Sequence, residues 1–249
     1  MSDKKEKEGM SKRQARREEI RRKERQQRLI LIGVIAGVIL LIGALIVVPS
    51  IRSATAPVGE FVKITPQAYA LANGTTMGDP NAKVKIEVFE DYTCSACKVY
   101  SESVEPQVIK ELVETGKVYY VFYQFPFLDD RSASKDSDRS ANAALCAAEQ
   151  NRFWDYKKLL FANQTHVAEQ FSEKRLIAFA ESLGLDMNQF NACYKENRFQ
   201  KQINEDLDLG RQMGITGTPT VFVNGVDITP GRVPSFEEIL QAVQAASGN

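Results

Sequence analysis

Apolar and polar positions divide the chain into four stretches. Residues 1–28 are mostly Lys, Arg, Glu and Gln with almost nothing apolar among them, whereas Leu29 to Val48 holds no charged residue at all. Residues 49–75 are interrupted by Pro and Gly, and beyond them apolar positions recur with strand and helix periods. Val84, Ile86 and Val88 alternate with Lys85, Glu87 and Phe89, which predicts a strand with one strongly apolar face. A helix is predicted from Cys94 through Val104, Val108, Ile109 and Leu112, kinked at Pro106 and ended by Gly116. Val118 to Phe125 is apolar and aromatic, as a strand covered on both faces would be. Strand, helix, strand at this spacing reads as a βαβ unit.

The pattern then changes. Residues 128–139 are polar and predict a loop; Ala141 to Phe161 is helical with a break near Asn151; Ser172 to Leu183 is a second helix ended by Gly184. Asp186 and Gln189 form a capping box for a third helix that carries Phe190, Cys193, Tyr194 and Ile203. This is a helical block set into an α/β unit at about residues 135–212. After it come a β-hairpin, Thr220–Val223 and Val226–Ile228 about the Asn224-Gly225 turn, and a final helix capped by Ser235 and Glu238 with Phe236, Ile239, Leu240 and Val243 inward. Phe61 to Ile64 predicts a short edge strand ahead of the main body.

Charge placement changes the picture at the N-terminus. The formal net charge is +0, yet residues 1–28 carry 12 Lys/Arg against 6 Asp/Glu. Such a segment builds no core. The 20 uncharged residues that follow would span about 30 Å as a helix, the thickness of a bilayer's hydrocarbon core. Basic residues before that helix, against only Arg52 just after it, place the N-terminus in the cytoplasm and the remainder outside. Ala54-Thr55-Ala56 has the form of a signal cleavage site, but Pro57 follows it directly, so an uncleaved anchor is expected. The basic clusters Arg16-Arg17 and Arg21-Arg22-Lys23 are read as holding topology beside anionic lipid, with no nucleic-acid partner. The expected organisation is a cytoplasmic tail (1–28), a transmembrane helix (29–48), an extracytoplasmic linker (49–75) and a folded domain (76–246). Asn73-Gly74-Thr75 and Asn163-Gln164-Thr165 match the glycosylation acceptor pattern and matter only in a cell that glycosylates.

The chemistry lies with the cysteines. Cys94 and Cys97, three apart where a strand runs into a helix, form a dithiol/disulfide redox site. Cys94 in the first helical turn is the expected nucleophile, since unpaired amides and the helix field favour a thiolate there. Cys97 then resolves the mixed disulfide. The competing structural reading, half of a zinc site, lacks a second Cys-x-x-Cys, and the chain's one histidine is His166, read as an ordinary surface or packing residue. No metal or cofactor is therefore expected. Thr218-Pro219 heads the hairpin, and a cis bond there would turn the Thr218 backbone toward the cysteines to hold an extended peptide. Cys146 and Cys193 fall on apolar faces of the helical block. Paired, they close a loop worth roughly 4 kcal/mol; separate buried thiols and a second redox pair are the alternatives.

These motifs resemble a known family, the membrane-anchored DsbA-like thiol oxidoreductases with a thioredoxin fold. The likeness rests on Gly78-Asp79-Pro80 with Ala82, on Phe89 and Tyr92-Thr93-Cys94-x-x-Cys97, on Ala144-Leu145-Cys146-Ala147 with Phe153-Trp154, on Leu183-Gly184-Leu185-Asp186 with Phe190 and Cys193, and on Gly214 through Gly225. It covers roughly residues 75–246. The resemblance implies a thioredoxin fold with an inserted helical domain, disulfide exchange with secreted or membrane polypeptides, a cis Pro219, a structural Cys146–Cys193 bond and a quinone-linked membrane partner. One departure stands out. Well-known oxidising members carry Pro-His between the cysteines, where this chain has Ser95-Ala96, so strong oxidising power does not carry over. A reductase or isomerase fed by a membrane electron donor is the alternative, and a protein holding a soft metal ion on cysteine is another. Glu90 and Asp91 stand beside the pair as modulators, either opposing the thiolate or, for Glu90, relaying protons.

Overall fold

The computed structural model describes residues 16–17, 21, 25–43, 58–69, 71–131, 134–165, 167 and 169–248. The chain divides into two compact units, Met1–Pro57 and Val58–Asn249. In the first, helix α1 (Arg25–Gly43) is long and apolar enough to cross a membrane once. Its Leu31, Leu40 and Leu41 side chains lie exposed rather than packed into a core, as lipid-facing residues would. The expected anchor residues 44–48 fall outside the described residues, as does His166.

The second unit is built on a six-stranded sheet in the order β1-β2-β4-β3-β5-β6. Its strands are β1 (Ala72–Asn73), β2 (Thr76–Met77), β3 (Val84–Glu90), β4 (Val118–Gln124), β5 (Thr220–Val223) and β6 (Val226–Asp227). β3 and β4 are parallel, with Val84 opposite Val118 and Glu90 opposite Gln124, and β5 lies antiparallel on the other side of β3. The connection from β3 to β4 is the βαβ crossover, made by α2 (Ser95–Ser103), α3 (Glu105–Val108) and a π-turn (Ile109–Val113). The expected single kinked helix is thus broken. Pro106 has no amide to continue a ladder, so the chain restarts at Glu105 with Pro106 in the first turn of α3, where a missing amide costs nothing.

Between β4 and β5 lie α4 (Asp136–Ala148), α5 (Phe153–Ala162), α6 (Glu173–Ser182), α7 (Met187–Lys195) and α8 (Gln200–Gln212). The fold is therefore mixed α/β with an inserted helical subdomain. Helix α4 starts five residues before Ala141, because its first amides are satisfied from a distance. Ser137 N and Asp138 N donate to the two Asp129 carboxylate oxygens at 3.2 and 2.8 Å. The break at Asn151 is present, with φ 57°. A further break at Asn197, φ 50°, puts Ile203 on α8 rather than on the helix of Cys193. At α7 the capping box is half formed. Asp186 Oδ1 accepts from the amides of Asn188 and Gln189, but the Asp186 amide donates to Gln150 Oε1 at 2.7 Å, not to Gln189. The box at the last helix, α9 (Phe236–Ser247), is complete.

Residues 61–64 form no strand. Instead the Asn163 side chain stands in for a neighbouring strand: the Val62 amide donates to its Oδ1 at 2.7 Å and its Nδ2 donates to the Val62 carbonyl at 2.8 Å. Asn163 is buried, so that acceptor triplet offers no accessible amide.

One sheet face packs on the main core and the other on a smaller cluster of Phe89, Phe125, Ile215 and Phe222 beneath α8. β3 is thus covered on both faces, not one. The close approach of α8 depends on Gly210. A Cβ there would overlap Phe125 Cε2 and lie 2.7 Å from Phe125 Cδ2 and 3.3 Å from Phe89 Cδ1. Gly210→Ala is therefore expected to destabilise the fold by about 2 kcal/mol, the overlap outweighing the gain in helix propensity. Urea unfolding should show a lower midpoint at unchanged slope, and an unchanged midpoint would refute the close packing.

Candidate active site

β3 ends at Glu90, and Asp91-Tyr92-Thr93 turns the chain so that Cys94 becomes the N-cap of α2. The cap position, with φ −79° and ψ 121°, lies one residue before the first turn in which Cys94 was expected. The turn is held from several sides. Asp91 Oδ1 accepts from Thr93 N, Thr93 Oγ1 and Ser137 Oγ, each at 2.8 Å, and Asp91 Oδ2 accepts from Leu128 N at 3.1 Å. Gln164, from the end of α5, donates through Nε2 to the carbonyls of Tyr92 at 2.7 Å and Cys94 at 2.9 Å. The helical subdomain thereby fixes the backbone that presents the cysteines.

Cys94 is partly exposed and Cys97 is buried, and both are free thiols. The loop before β5 completes the site. Thr218-Pro219 is cis, and Cys94 Sγ donates to the Thr218 carbonyl at 3.2 Å. Thr218 Oγ1 is buried and makes no well-directed hydrogen bond elsewhere, which leaves its hydroxyl to donate to an anionic sulfur. The structure thus brings Cys94, Cys97, Thr218 and Pro219 together, with Ser95 and Ala96 opening α2 between the cysteines. Cys146 and Cys193 are joined to each other, from α4 to α7, with S–S 2.00 Å.

The two thiols are electrostatically unlike. Hydrogen bonding from the Cys97 thiol brings the Cys94 pKa down to about 6 against the cost of burial, with further help from Thr218 and the backbone amides of Cys97 and Ala96. Those amides belong to the first turn of α2, where they have no intrahelical partner. Burial pushes Cys97 well above the usual thiol range, reinforced by Cys94 and by the charge of Glu90. Asp91 is pushed up to about 6 by burial, its hydrogen bonds opposing the rise. It acts here as the hub of the turn. Glu90 is pushed up to about 8, mainly by burial, with Lys157 pulling the other way.

The expected consequence is a thiol that titrates early. Alkylation of Cys94 should rise with pH through about 6 and level off near neutrality, since only the thiolate reacts. Iodoacetamide kinetics read this directly, and a midpoint near the ordinary thiol value would contradict the site's polarity. Because the thiolate is favoured by the fold, the reduced state is stabilised at higher pH and loses that contribution as pH falls through about 6.

Sequence reasoning did not single out Gln164, Glu105 or Lys157. All three are buried against the site or its supporting network. Among the described residues, no group of three or more His, Cys, Asp or Glu is arranged to hold a metal ion.

A Cys-x-x-Cys at the head of a helix, facing an X–Pro loop across a thioredoxin-type sheet, defines a thiol–disulfide exchange protein. The sequence profile described as thioredoxin matches residues 71–244, and the chain belongs to that family as a DsbA-like thiol–disulfide oxidoreductase. A curated relative, "Probable disulfide bond formation protein D" of Bacillus anthracis, is 27% identical over 182 residues, 71% of this chain and 80% of that protein. Among solved structures, oxidised BdbD of Bacillus subtilis superposes with a TM-score of 0.61 at 22% identity, over 77% of this chain and 100% of that one. Chlamydia trachomatis DsbA gives 0.61 at 23% identity, over 76% and 98% of the respective chains. At these identities the two structures speak for the fold.

Proposed function

We propose that the protein forms disulfide bonds in cysteine-containing secreted or membrane polypeptides, outside the cytoplasm. Cys94 is the nucleophile and Cys97 the resolving thiol, with Thr218 and Pro219 holding the substrate chain beside them. The observation that carries this reading is the placement of the Cys94 thiol at the head of α2, 3.2 Å from the Thr218 carbonyl and beside the cis Thr218-Pro219 bond. That setting brings its pKa down to about 6 without a histidine between the cysteines. Stabilising that thiolate stabilises the reduced pair, so the disulfide form is readily reduced, and it is reduced by oxidising its substrate. The name of the Bacillus anthracis relative, for disulfide bond formation, supports the same direction.

In the forward reaction a substrate thiolate attacks Cys94 of the Cys94–Cys97 disulfide, the S–S bond breaks, and its electron pair goes to Cys97. The substrate's second thiolate then displaces Cys94 from the mixed disulfide. The substrate leaves oxidised by two electrons and the pair is reduced by two. Turnover requires a membrane partner that reoxidises the pair, which the family resemblance makes a quinone-linked protein. On this reading residues 1–28 lie in the cytoplasm, 29–48 cross the bilayer and the catalytic domain lies outside, its folded unit starting at Val58 rather than at residue 76, with the basic tail setting the orientation.

The test is the reduction potential of the pair, measured by thiol trapping across glutathione buffers. A thiol pKa of about 6 lies between those of DsbA and thioredoxin and nearer the latter, so a potential between about −120 and −270 mV is expected, in the more reducing half of that range. A potential at or below about −270 mV would overturn the oxidase reading and turn attention to an electron-donating partner.

A further inference from the structure

Arg175, in the first turn of α6, is a cation without a counter-ion. The same helix buries Leu176, Phe179 and Ala180. The Arg175 guanidinium lies over the Phe179 ring, its Cζ 5.6 Å from the centroid. Phe61 packs edge-on against that ring with centroids 5.0 Å apart, and a Cβ at Gly59 would lie 3.9 Å from Arg175 Nη1. These neighbours take water from one side of the cation and supply no acceptor in its place. Arg175 Nε is buried and makes no well-directed hydrogen bond. Burial also holds the Arg175 pKa below the ordinary guanidinium value, and among the described residues no carboxylate draws it back up. Every other arginine whose side chain is described in this unit pairs with a carboxylate.

The unpaired guanidinium borders a cavity of about 380 Å³. Phe61 and Val62 form one wall, Asn163, Gln164 and Thr165 form another, and the exposed Glu60 stands at the rim. Gln164 connects this cavity to the active site. It lines the cavity, and its Nε2 donates to the Cys94 carbonyl at 2.9 Å. The cavity therefore begins one side chain away from the residue that carries the substrate in a mixed disulfide. An extended polypeptide advances about 3.3 Å per residue, so side chains two to four positions from the attacking cysteine reach that far.

A half-dry guanidinium with an unused donor is matched by an anion of its own geometry, and a carboxylate accepts from two of its N–H groups at once. We propose that Arg175 is a specificity-determining residue, receiving in this cavity a carboxylate side chain of the polypeptide that exchanges disulfides at Cys94. This rests on the disulfide-exchange reading above. The apolar wall of Phe61 and Val62 suits the methylene stem of a glutamate. Glu60 at the rim opposes the contact, since its charge has the sign of the incoming group. The cavity is open to water, which screens the attraction and sets the expected preference at several-fold rather than hundreds.

The test uses the full-length chain in a non-ionic detergent, oxidised at Cys94–Cys97, in single turnovers with excess dithiol peptide. Each peptide carries one glutamate, placed from four positions before the first cysteine to four after it, and is matched by its glutamine counterpart. Acid quenching and chromatography give the second-order rate constants. Each glutamate-to-glutamine ratio is divided by that for oxidised glutathione, which removes the peptide's effect on its own thiols. At the best-placed position the wild type is expected to favour glutamate about five- to tenfold. Arg175→Met should bring that ratio to about one, Arg175→Lys should keep part of it, and Glu60→Gln should raise it. A loosened fold slows both members of a pair alike, so the ratio reads the charge. Should Arg175→Met not fold, Glu60→Gln at its exposed position and Arg175→Lys carry the test. A wild-type ratio near one at every position, or a ratio that the charge variants leave unmoved, would overturn the proposal. A chain that oxidises no peptide of either kind would instead refute the oxidase reading, and the same ratios are then read in reverse, from reduced protein acting on the disulfide forms of the peptides.

Discussion

Cys97→Ser is expected to accumulate mixed disulfides with cysteine-containing polypeptides, while Cys94→Ser is expected to abolish exchange. The asymmetry follows from the two environments. With its pKa brought down to about 6, Cys94 is about 90% thiolate at neutral pH. Cys97, pushed up by burial, is almost wholly protonated under the same conditions. With Cys94 gone the only remaining nucleophile at the site is a buried thiol, so exchange should fall at least ~100-fold from ionisation alone. With Cys97 changed to serine, Cys94 still attacks, and the serine hydroxyl still donates toward its sulfur. The attack that would release the substrate is missing, so the adduct persists. Acid trapping followed by non-reducing electrophoresis measures both outcomes. Adducts on Cys94→Ser and none on Cys97→Ser would reverse the roles assigned to the two thiols.

How much of this was legible in the sequence depends on how local the cause is. The strand before Cys94, the hairpin about Asn224-Gly225 and the box at Ser235 are short-range patterns, and each stands where those patterns put it. Elements whose ends are fixed from a distance were misjudged. Helix α4 begins at Asp136 because Asp129, seven residues earlier, receives its amides, and no local signal marks that. The stretch 61–64 has strand-like residues but pairs with an asparagine side chain 101 residues away. Within the site, Cys94 and Cys97 announce themselves by spacing, whereas Lys157 sits in a Lys157-Lys158 pair that looks like a solvated face. Its helical neighbours hold the missed signal. Lys157 falls four residues after Phe153 and four before Phe161, both buried, so period alone places it on the inner face and Lys158 on the outer. A lysine on the apolar side of a helix requires a carboxylate partner, and the sequence offers many carboxylates without saying that Glu90 and Glu105 are the two.

The second large effect belongs to the cysteines away from the site. Replacing Cys146 and Cys193 together by alanine is expected to lower stability by about 4 kcal/mol and the thermal midpoint by about 8–16 °C. The bond ties α4 to α7 across 47 residues, which covers most of the helical subdomain, and both sulfurs are fully buried. Cross-linking a loop of that length removes freedom from the unfolded chain. Burial matters separately. A thiolate attacks a disulfide sulfur along its axis and must reach it, so a sulfur with no exposed surface exchanges only when the subdomain opens. Mild dithiothreitol should therefore reduce Cys94–Cys97 in the folded protein and leave Cys146–Cys193 intact until conditions approach unfolding. The double alanine variant, assayed well below its midpoint, should then form disulfides at the wild-type rate, because Gln164 and Asp91 hold the active-site turn without it. A variant of unchanged stability that has lost exchange would place this second pair in the path of the electrons. Stability lost and exchange kept would confine it to the scaffold, in keeping with the burial of both sulfurs.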